Sequence, residues 1–391
     1  MIQTRGRKIL ADISSRKGRT ILVCLAIFVG VTGTITLFSM GDILTRKLDE
    51  DIREDEIAMV NVLVALLNQR KALDNDEYLN QLRQIEGVTT LQGITQGTAH
   101  FKLHENDTDY EDVNVISYSS NFEDVPIEPP RLLSGIYPLE DQNQIAIEQR
   151  FAEKYGLDSG DPIYFRISNR SSLLRPSGTH VERWTVSGIV FHPYVFSPSN
   201  SIYALPDDNR RLTTTRGFSA FMLRFDTYNH AHGSARAITQ FISGETPYSP
   251  IFTHRQDPAL NPLTLGAKRL SETMSALALI ALFVSGFLVL NIISTVITEQ
   301  KRQIGLMKSL GASRFDIFVI YTGLALSYGL ISVVPGVLVG VPAGYFVAAE
   351  LATQVNTVIN EFEISYRAIL IGVTAGLAVP VLASIIPVLD G

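Results

Sequence analysis

The sequence predicts an α-helical membrane protein with four transmembrane helices and an α+β extracytoplasmic domain inserted between the first and second. Three observations carry that expectation. Four uncharged runs occur, Thr20 to Gly41, Thr273 to Thr298, Ile317 to Ala349 and Ala368 to Leu389, and each reaches the roughly 20 residues that cross a bilayer core. The intervening stretch 42–270 is long enough for one or two compact subdomains. Composition agrees: 46% of the 391 residues are hydrophobic and 18% are charged, which suits a few spans joined to a sizeable soluble part.

Residues 1–19 form a basic flank, with Arg5, Arg7, Lys8, Arg16, Lys17 and Arg19 against Asp12. Segment 20–41 is too long for a secretory h-region of about 7–15 residues and reads as an uncleaved anchor. The segment beyond it is acidic, with Asp42, Asp49, Glu50, Asp51, Glu54, Asp55 and Glu56. It lacks Gly and Pro from Asp42 to Met59, so a helical stalk is expected there. Val60 to Val64 reads as a strand and Asp76 to Glu86 as a helix, with Leu79, Leu82 and Ile85 at helical spacing. Gly87 stops that helix and Val88 opens another strand, making a β–α–β unit. A second unit follows: a strand at Gln144 to Ile147, a helix at Glu148 to Tyr155 closed by Gly156, a Gly160-Asp161 turn and a strand at Pro162 to Ile167. Trp184 to Phe191 and Phe218 to Phe225 add strands, Ala235 to Ile242 a short helix, and the sheets are mixed. Cys24, the one cysteine, lies in the first apolar run, so this domain has no disulfide.

Segment 271–298 is the second span. Segment 299–316 is a net basic connector, and 317–349 is a third span that Pro335 and Pro342 are expected to kink. Segment 350–367 is a loop with Glu350, Glu361 and Glu363 against Arg367, and 368–389 is the fourth span. The distribution of Lys and Arg places the N-terminus, the connector and the C-terminus inside and the 42–270 domain outside. The implied location is the inner or plasma membrane, crossed several times.

Several chemistries are excluded or disfavoured. A net charge of −6 gives no basic footprint for nucleic acid. No G-x-x-x-x-G-K-[ST] loop is present to cradle ATP phosphates, and no G-x-S-x-G elbow to carry a nucleophile. Ser14 to Lys17 fits S-x-x-K but belongs to the basic inside flank. All seven histidines, His100, His104, His180, His192, His230, His232 and His254, fall in the 42–270 domain. His230 and His232 lack companions at ligand spacing and read as a solvated loop. The acidic run Asp49 to Glu56 lacks the spacing of a calcium loop. No catalytic residue, metal or cofactor is predicted. Within the spans no Asp, Glu, Lys or Arg is buried, which argues against ion coupling. Asn291 is expected to hydrogen-bond another helix.

The connector carries the functional signal. Lys301, Arg302, Lys308 and Arg314 are basic, and Ile304, Met307 and Leu310 recur every three residues beside Leu306. Gly311 ends the turn and Ala312-Ser313 lead into the next helix. Charge placement alone explains Lys301 and Arg302 but not Gly305, Gly311 and Ala312. Residues 302–313, R-Q-I-G-L-M-K-S-L-G-A-S, resemble the signature of FtsX-like permeases, the MacB and LolC/LolE group. Its usual wording is close to R-E-I-G-x-L-[KR]-[AS]-[LI]-G-A-S, with Gln303 here where Glu is common. In the 42–270 domain, Pro130, Leu133, Gly135, Ile145, Ile147, Ala152, Gly156-Leu157 and Gly160-Asp161 resemble the periplasmic core domain of MacB-type permeases. Trp184 to Val190 resembles that domain's [FY]-x-V-x-G-[IV] strand.

The resemblance implies a non-catalytic permease subunit of a type VII ABC system. A cytoplasmic ABC ATPase would push on Lys301, Arg302, Ile304, Gly305, Met307, Lys308, Leu310, Gly311, Ala312 and Ser313, and long helices would carry the motion outward. Membrane lipid and a second permease bundle, either another copy or the second half of a longer chain, are the further partners implied. The end at Leu389-Asp390-Gly391, without a basic stretch, suggests the first of two halves. A membrane-anchored receptor needs neither an ATPase nor the 305–313 pattern. A tethered hydrolase needs a nucleophile–base pair that is not found.

Overall fold

The computed structural model describes residues 17–67, 73–168, 178–195, 200–309 and 311–389. The expectations for residues 1–16, for Leu310 and for Asp390-Gly391 therefore lie outside the described residues. In chain order the elements are α1 (Lys17–Asp51), β1 (Val60–Leu66), α2 (Asn75–Arg83), β2 (Val88–Lys102), β3 (Glu111–Tyr118), β4 (Arg131–Gly135), β5 (Gln144–Glu148), α3 (Gln149–Tyr155), β6 (Pro162–Ser168), β7 (Thr179–Phe191) and β8 (Ser201–Tyr203). There follow α4 (Pro206–Thr213), β9 (Ala220–Phe225), α5 (Tyr228–Glu245), β10 (Tyr248–Arg255), α6 (Pro262–Glu299), α7 (Lys301–Ser309), α8 (Arg314–Ala352) and α9 (Tyr366–Leu389). The chain divides into two compact units, one of residues Asp51–Asn261 and one of the residues up to Glu50 together with those from Pro262 onward.

In the helical unit, α1, α6, α8 and α9 are long and apolar enough to cross a membrane. Val23, Ile27, Val31 and Ile35 of α1 are buried with Val289 and Ile293 of α6, Tyr321, Leu324 and Tyr328 of α8 and Ala383 of α9. Glycines let the backbones approach. A Cβ on Gly336, Gly340 or Gly344 of α8 would lie 2.8, 2.9 or 2.5 Å from Val31, Ile35 or Ser39. Gly372 and Gly376 of α9 sit the same way over Ile35 and Val31. Such small-residue spacing replaces hydrophobic driving force where lipid is the solvent. Gly30 faces Ser285 of α6, whose hydroxyl donates to the Ala26 carbonyl at 2.9 Å, whereas Gly33 has no atom within 4 Å of a built Cβ. Pro335 and Pro342 lie inside α8, which runs through both as one helix. Asn291 is exposed on α6, not turned toward another helix of the unit.

Where α1 meets the 353–365 loop, charged groups gather. The Arg46 guanidinium and the Lys47 amine, the latter at 2.9 Å, both contact the Glu363 carboxylate. Ser365 donates to Asp42 at 2.7 Å. Burial raises the pKa of Glu363, but Lys47 and Arg46 outweigh it and hold the carboxyl below its usual range.

The Asp51–Asn261 unit is built on one ten-stranded mixed sheet, not several. Its order is β10-β1-β9-β2-β3-β8-β5-β7-β4, with β6 pairing β2 and β7. The expected β–α–β unit is a split one: β1 and β2 both pair antiparallel with β9, which lies between them. Alternation in β1 sends Val60, Val62 and Val64 into a core with Leu79 and Leu82 of α2, Phe221 and Leu223 of β9, and Ile238 and Ile242 of α5. A second core joins Phe101, Ile145, Phe151, Phe165 and Trp184 on β2, β5, α3, β6 and β7. A third lies against the opposite face of the sheet: Ala220 and Met222 alternate with Phe221 and Leu223, Ala146 alternates with Ile145 and Ile147, and they are buried with Ala58, Ile116, Tyr118, Phe122, Val190 and Tyr203.

Several boundaries differ from expectation. Helix α1 ends at Asp51, and a short 3-10 turn at Glu54–Glu56 stands where the stalk was expected to continue to Met59. The strand at Trp184 begins at Thr179, and Ala235 to Ile242 is the middle of an 18-residue helix. His230 and His232 therefore sit on α5, not in a loop. Gly156, with φ 64°, closes α3 as expected, its amide donating to the Ala152 carbonyl.

Candidate functional site

The connector folds as α7, a nine-residue helix with a defined stop and a defined restart after it. The amide of Ala312 donates to the Met307 carbonyl at 2.9 Å and that of Gly311 to the Lys308 carbonyl at 3.0 Å. These are the two bonds of a Schellman stop, and Gly311 supplies the positive φ, 95°, that it requires. Ser313 then starts α8. Its hydroxyl oxygen accepts from the Asp316 amide at 3.2 Å, while its own amide donates to the Asp316 carboxylate at 3.0 Å. That reciprocal pair is a capping box with Asp in the fourth position.

Of the ten residues singled out by sequence, Lys301, Arg302, Ile304, Gly305, Met307 and Lys308 lie on α7 itself. Arg302, Gly305 and Lys308 are exposed. Met307 is half-buried and packs against the helical core that includes Ile293 and Tyr321, so it turns toward the unit. Gly311 and Ser313 are exposed and Ala312 is half-buried. Leu310 is outside the described residues. Leu306 of α7 and Phe315 of α8 are 59% and 67% exposed. Arg302, Leu306 and Lys308 are thus exposed on one short helix with Gly305, whose Cβ position has nothing within 4 Å. At the root of α7, Gln300 is buried and accepts a 2.7 Å hydrogen bond from the Tyr321 hydroxyl.

Sequence reasoning missed Asp316, although S-x-x-D was legible as a cap. It also missed the Gly336, Gly340, Gly344 series, whose four-residue spacing was in plain view.

A second polar cluster lies in the sheet unit. The Glu56 carboxylate receives the Arg131 guanidinium and the Tyr194 hydroxyl on one oxygen. Tyr194 also accepts from the Arg53 amide at 3.2 Å. Glu128 holds a positive φ, 50°, donates its amide to the Glu56 carbonyl at 2.9 Å and accepts from the Ala58 amide at 3.1 Å. The residue is half-buried but its carboxyl is enclosed, and burial pushes its pKa up to about 7 against the Ala58 hydrogen bond. Behind Tyr194, ring edge to face, lies His192, 3% exposed and 3.1 Å from the Tyr118 hydroxyl. Burial lowers its pKa to about 4. Among the described residues no group of three or more His, Cys, Asp or Glu is placed to hold a metal ion.

Comparison with known proteins agrees with the sequence signals. The model of the MacB-like periplasmic core domain matches residues 20–241, more than half of the chain. That of the FtsX-like permease C-terminal region matches residues 275–390. The uncharacterized ABC transporter permease YknZ of Bacillus subtilis is 23% identical over 88% of this chain and 85% of its own length. The macrolide export ATP-binding/permease protein MacB of Hahella chejuensis is 20% identical over 97% of this chain and 56% of its own. The chain thus spans about half the length of the MacB relatives it matches. A solved extracellular domain of a noncanonic ABC-type transporter YknZ overlaps 49% of the chain and all of that structure, at 14% identity and a TM-score of 0.33.

Proposed function

Because the chain belongs to the FtsX-like permeases that carry a MacB-like periplasmic core domain, we propose that α7 is the helix on which a cytoplasmic ABC ATPase acts. The family supplies the ATPase partner. The observation that carries the reading is α7 itself, a short helix capped at its end, with Arg302, Gly305, Leu306 and Lys308 exposed. Lys and Arg suit acidic surface on a partner, and a glycine in the middle of a helix permits close backbone approach. On this reading α7, Arg302 and the N-terminal flank face the cytoplasm, the Asp51–Asn261 unit lies outside, and the four long helices cross the cell membrane. Displacement of α7 passes along α6 and α1 to the outer unit. Export, extraction of a lipid or lipoprotein, and control of an external partner all fit such a motion.

A second helical bundle, in another copy or another half, supplies the second helix that an ATPase dimer requires. The outer face of α6 supports this, since Phe283, Phe287 and Asn291 recur there at four-residue spacing and all are exposed. An amide on an apolar face is a ready helix–helix contact within a bilayer. Purification from detergent tests the reading: an ABC ATPase is expected to accompany the intact chain and to be lost when Leu306 and Lys308 are both changed to Glu. Retention of the ATPase by that variant would leave α7 without the role.

A further inference from the structure

Residues 53–58 follow the first long helix and form no regular structure beyond one turn, yet they are held by polar contacts from two sides of the sheet. From β9 the Arg224 guanidinium donates to the Glu54 carbonyl at 2.7 Å and also to that of Ile57. From the opposite end of the sheet come Arg131 on β4, Tyr194 just beyond β7 and Glu128 just ahead of β4, which engage Glu56, Arg53 and Ala58. Strand β9 belongs to the core with α2 and α5, whereas β7 belongs to the core with α3. Ala58 itself is buried in the third core, on the opposite face of the sheet, which takes residues from both β9 and β7.

We propose that residues 53–58 are a joint that holds the two lobes of the sheet unit in one arrangement, with Glu56 as its closing residue. Each lobe has its own hydrophobic core, so each can move as a body. The lobes share the sheet and the core on its opposite face, and the joint is the point where charged groups from both grip one segment. Glu56 anchors two donors, so its loss leaves Arg131 and Tyr194 without their carboxylate, a costlier change than loss of an exposed pair. This segment is joined covalently to α1 at Asp51. On the function proposed above, on which this clause alone rests, a displacement of α1 would enter the outer unit here and change the angle between the lobes. Glu56, Tyr194 and Arg224 are thus positioning residues for that motion.

Distance measurement between spin labels tests the joint in the full chain. Asn80 on α2 and Glu153 on α3 are exposed, one on each lobe, and both are changed to Cys in a Cys24→Ser background for labelling in lipid nanodiscs. The unaltered joint is expected to give one narrow distance. Glu56→Gln and Tyr194→Phe are each expected to replace it with a broad or two-peaked distribution. Tyr194→Phe removes only a hydroxyl, so it decides the matter should Glu56→Gln fail to accumulate. A single narrow distance in Tyr194→Phe and in any folded Glu56→Gln, unchanged from the parent, overturns the joint. ATPase activity of the co-purified ATPase is read in the same preparations. Absence of stimulation by the parent chain counts against the coupling reading alone and leaves the distance result standing.

Discussion

Two buried groups, Glu128 and His192, should give the sheet unit opposing pH dependences that nearly cancel. Glu128 moves from an ordinary 4.5 to about 7 on folding. Above its unfolded pKa the unfolded chain releases the proton that the folded unit keeps, so stability falls as pH rises from about 4.5 to about 7. At about 1.4 kcal/mol per unit the full effect is about 3 kcal/mol. His192 moves the other way, from 6.5 to about 4. Below 6.5 the unfolded chain binds a proton that the folded unit refuses, so stability is lost as pH falls, again by about 3 kcal/mol across the window. Between pH 4.5 and 6.5 the two slopes oppose, and each variant should expose the other. Glu128→Gln keeps an acceptor for the Ala58 amide without a charge to bury. It should be stabilised by about 3 kcal/mol at pH 8, with stability that climbs from pH 4.5 to 6.5. His192→Gln should be weaker throughout, because a buried ring is lost, and should tilt the other way. Trp184 is the one tryptophan and is buried in this unit, so its fluorescence during thermal unfolding of the detergent-solubilised chain reports the unit alone. A Glu128→Gln profile parallel to that of the parent between pH 4.5 and 8 would show that the carboxyl is not held neutral and would refute the reasoning.

Three further outcomes follow from the helical unit. Gly305→Ala should strengthen α7 by about 0.8–1 kcal/mol, whereas Gly311→Ala, at φ 95°, should weaken its stop by about 1 kcal/mol or more; ATPase stimulation lost in a stable Gly305→Leu marks the docking surface, and unchanged stimulation removes it. Gly344→Leu should cost about 1–3 kcal/mol by overpacking against Ser39, while Gly33→Leu, with open space around it, should not; equal melting temperatures in detergent would contradict the packing. In a Cys24→Ser background, Lys308→Cys should resist an impermeant thiol reagent added from outside, and Asn80→Cys should react; labelling of Cys at 308 from outside inverts the proposed topology.

What the sequence made legible was whatever repeats locally. The four apolar runs lie in the four long helices because their composition alone demands a low-dielectric surrounding, and the stop at Gly311 was visible because its geometry depends on one residue. The cap at Ser313 was half-visible, its partner Asp316 being overlooked. The ten-stranded sheet was not legible. That β9 would insert between β1 and β2 depends on pairings between residues far apart in the chain, which no local period records. Short β8 and the edge strand β4 carry too few residues to show an alternation. Met307 illustrates the limit at the candidate site: spacing placed it on a stripe with Ile304 and Leu310, and packing against the helical core turned it inward. Glu56 read as one more solvated acid in an acidic run, since neither Arg131 nor Tyr194 is near it in sequence.

The position of β1 in the sheet sets an order of events during synthesis. Its neighbours are β9 and β10, so Val62 waits for Phe221 and Thr253 before either flank is paired. Until then β1, with Val60, Val62 and Val64, is an apolar strand with two open edges, the kind of segment that chaperones bind and that aggregates when delayed. The last of its partners, Arg255, comes only seven residues before Pro262, where α6 begins. Completion of the sheet and emergence of the second long apolar helix therefore fall together in time. Non-local closure of this kind is slow, so a nascent chain halted before Ala220 should be a prompt substrate for quality-control proteases, and one halted after Arg255 should escape them.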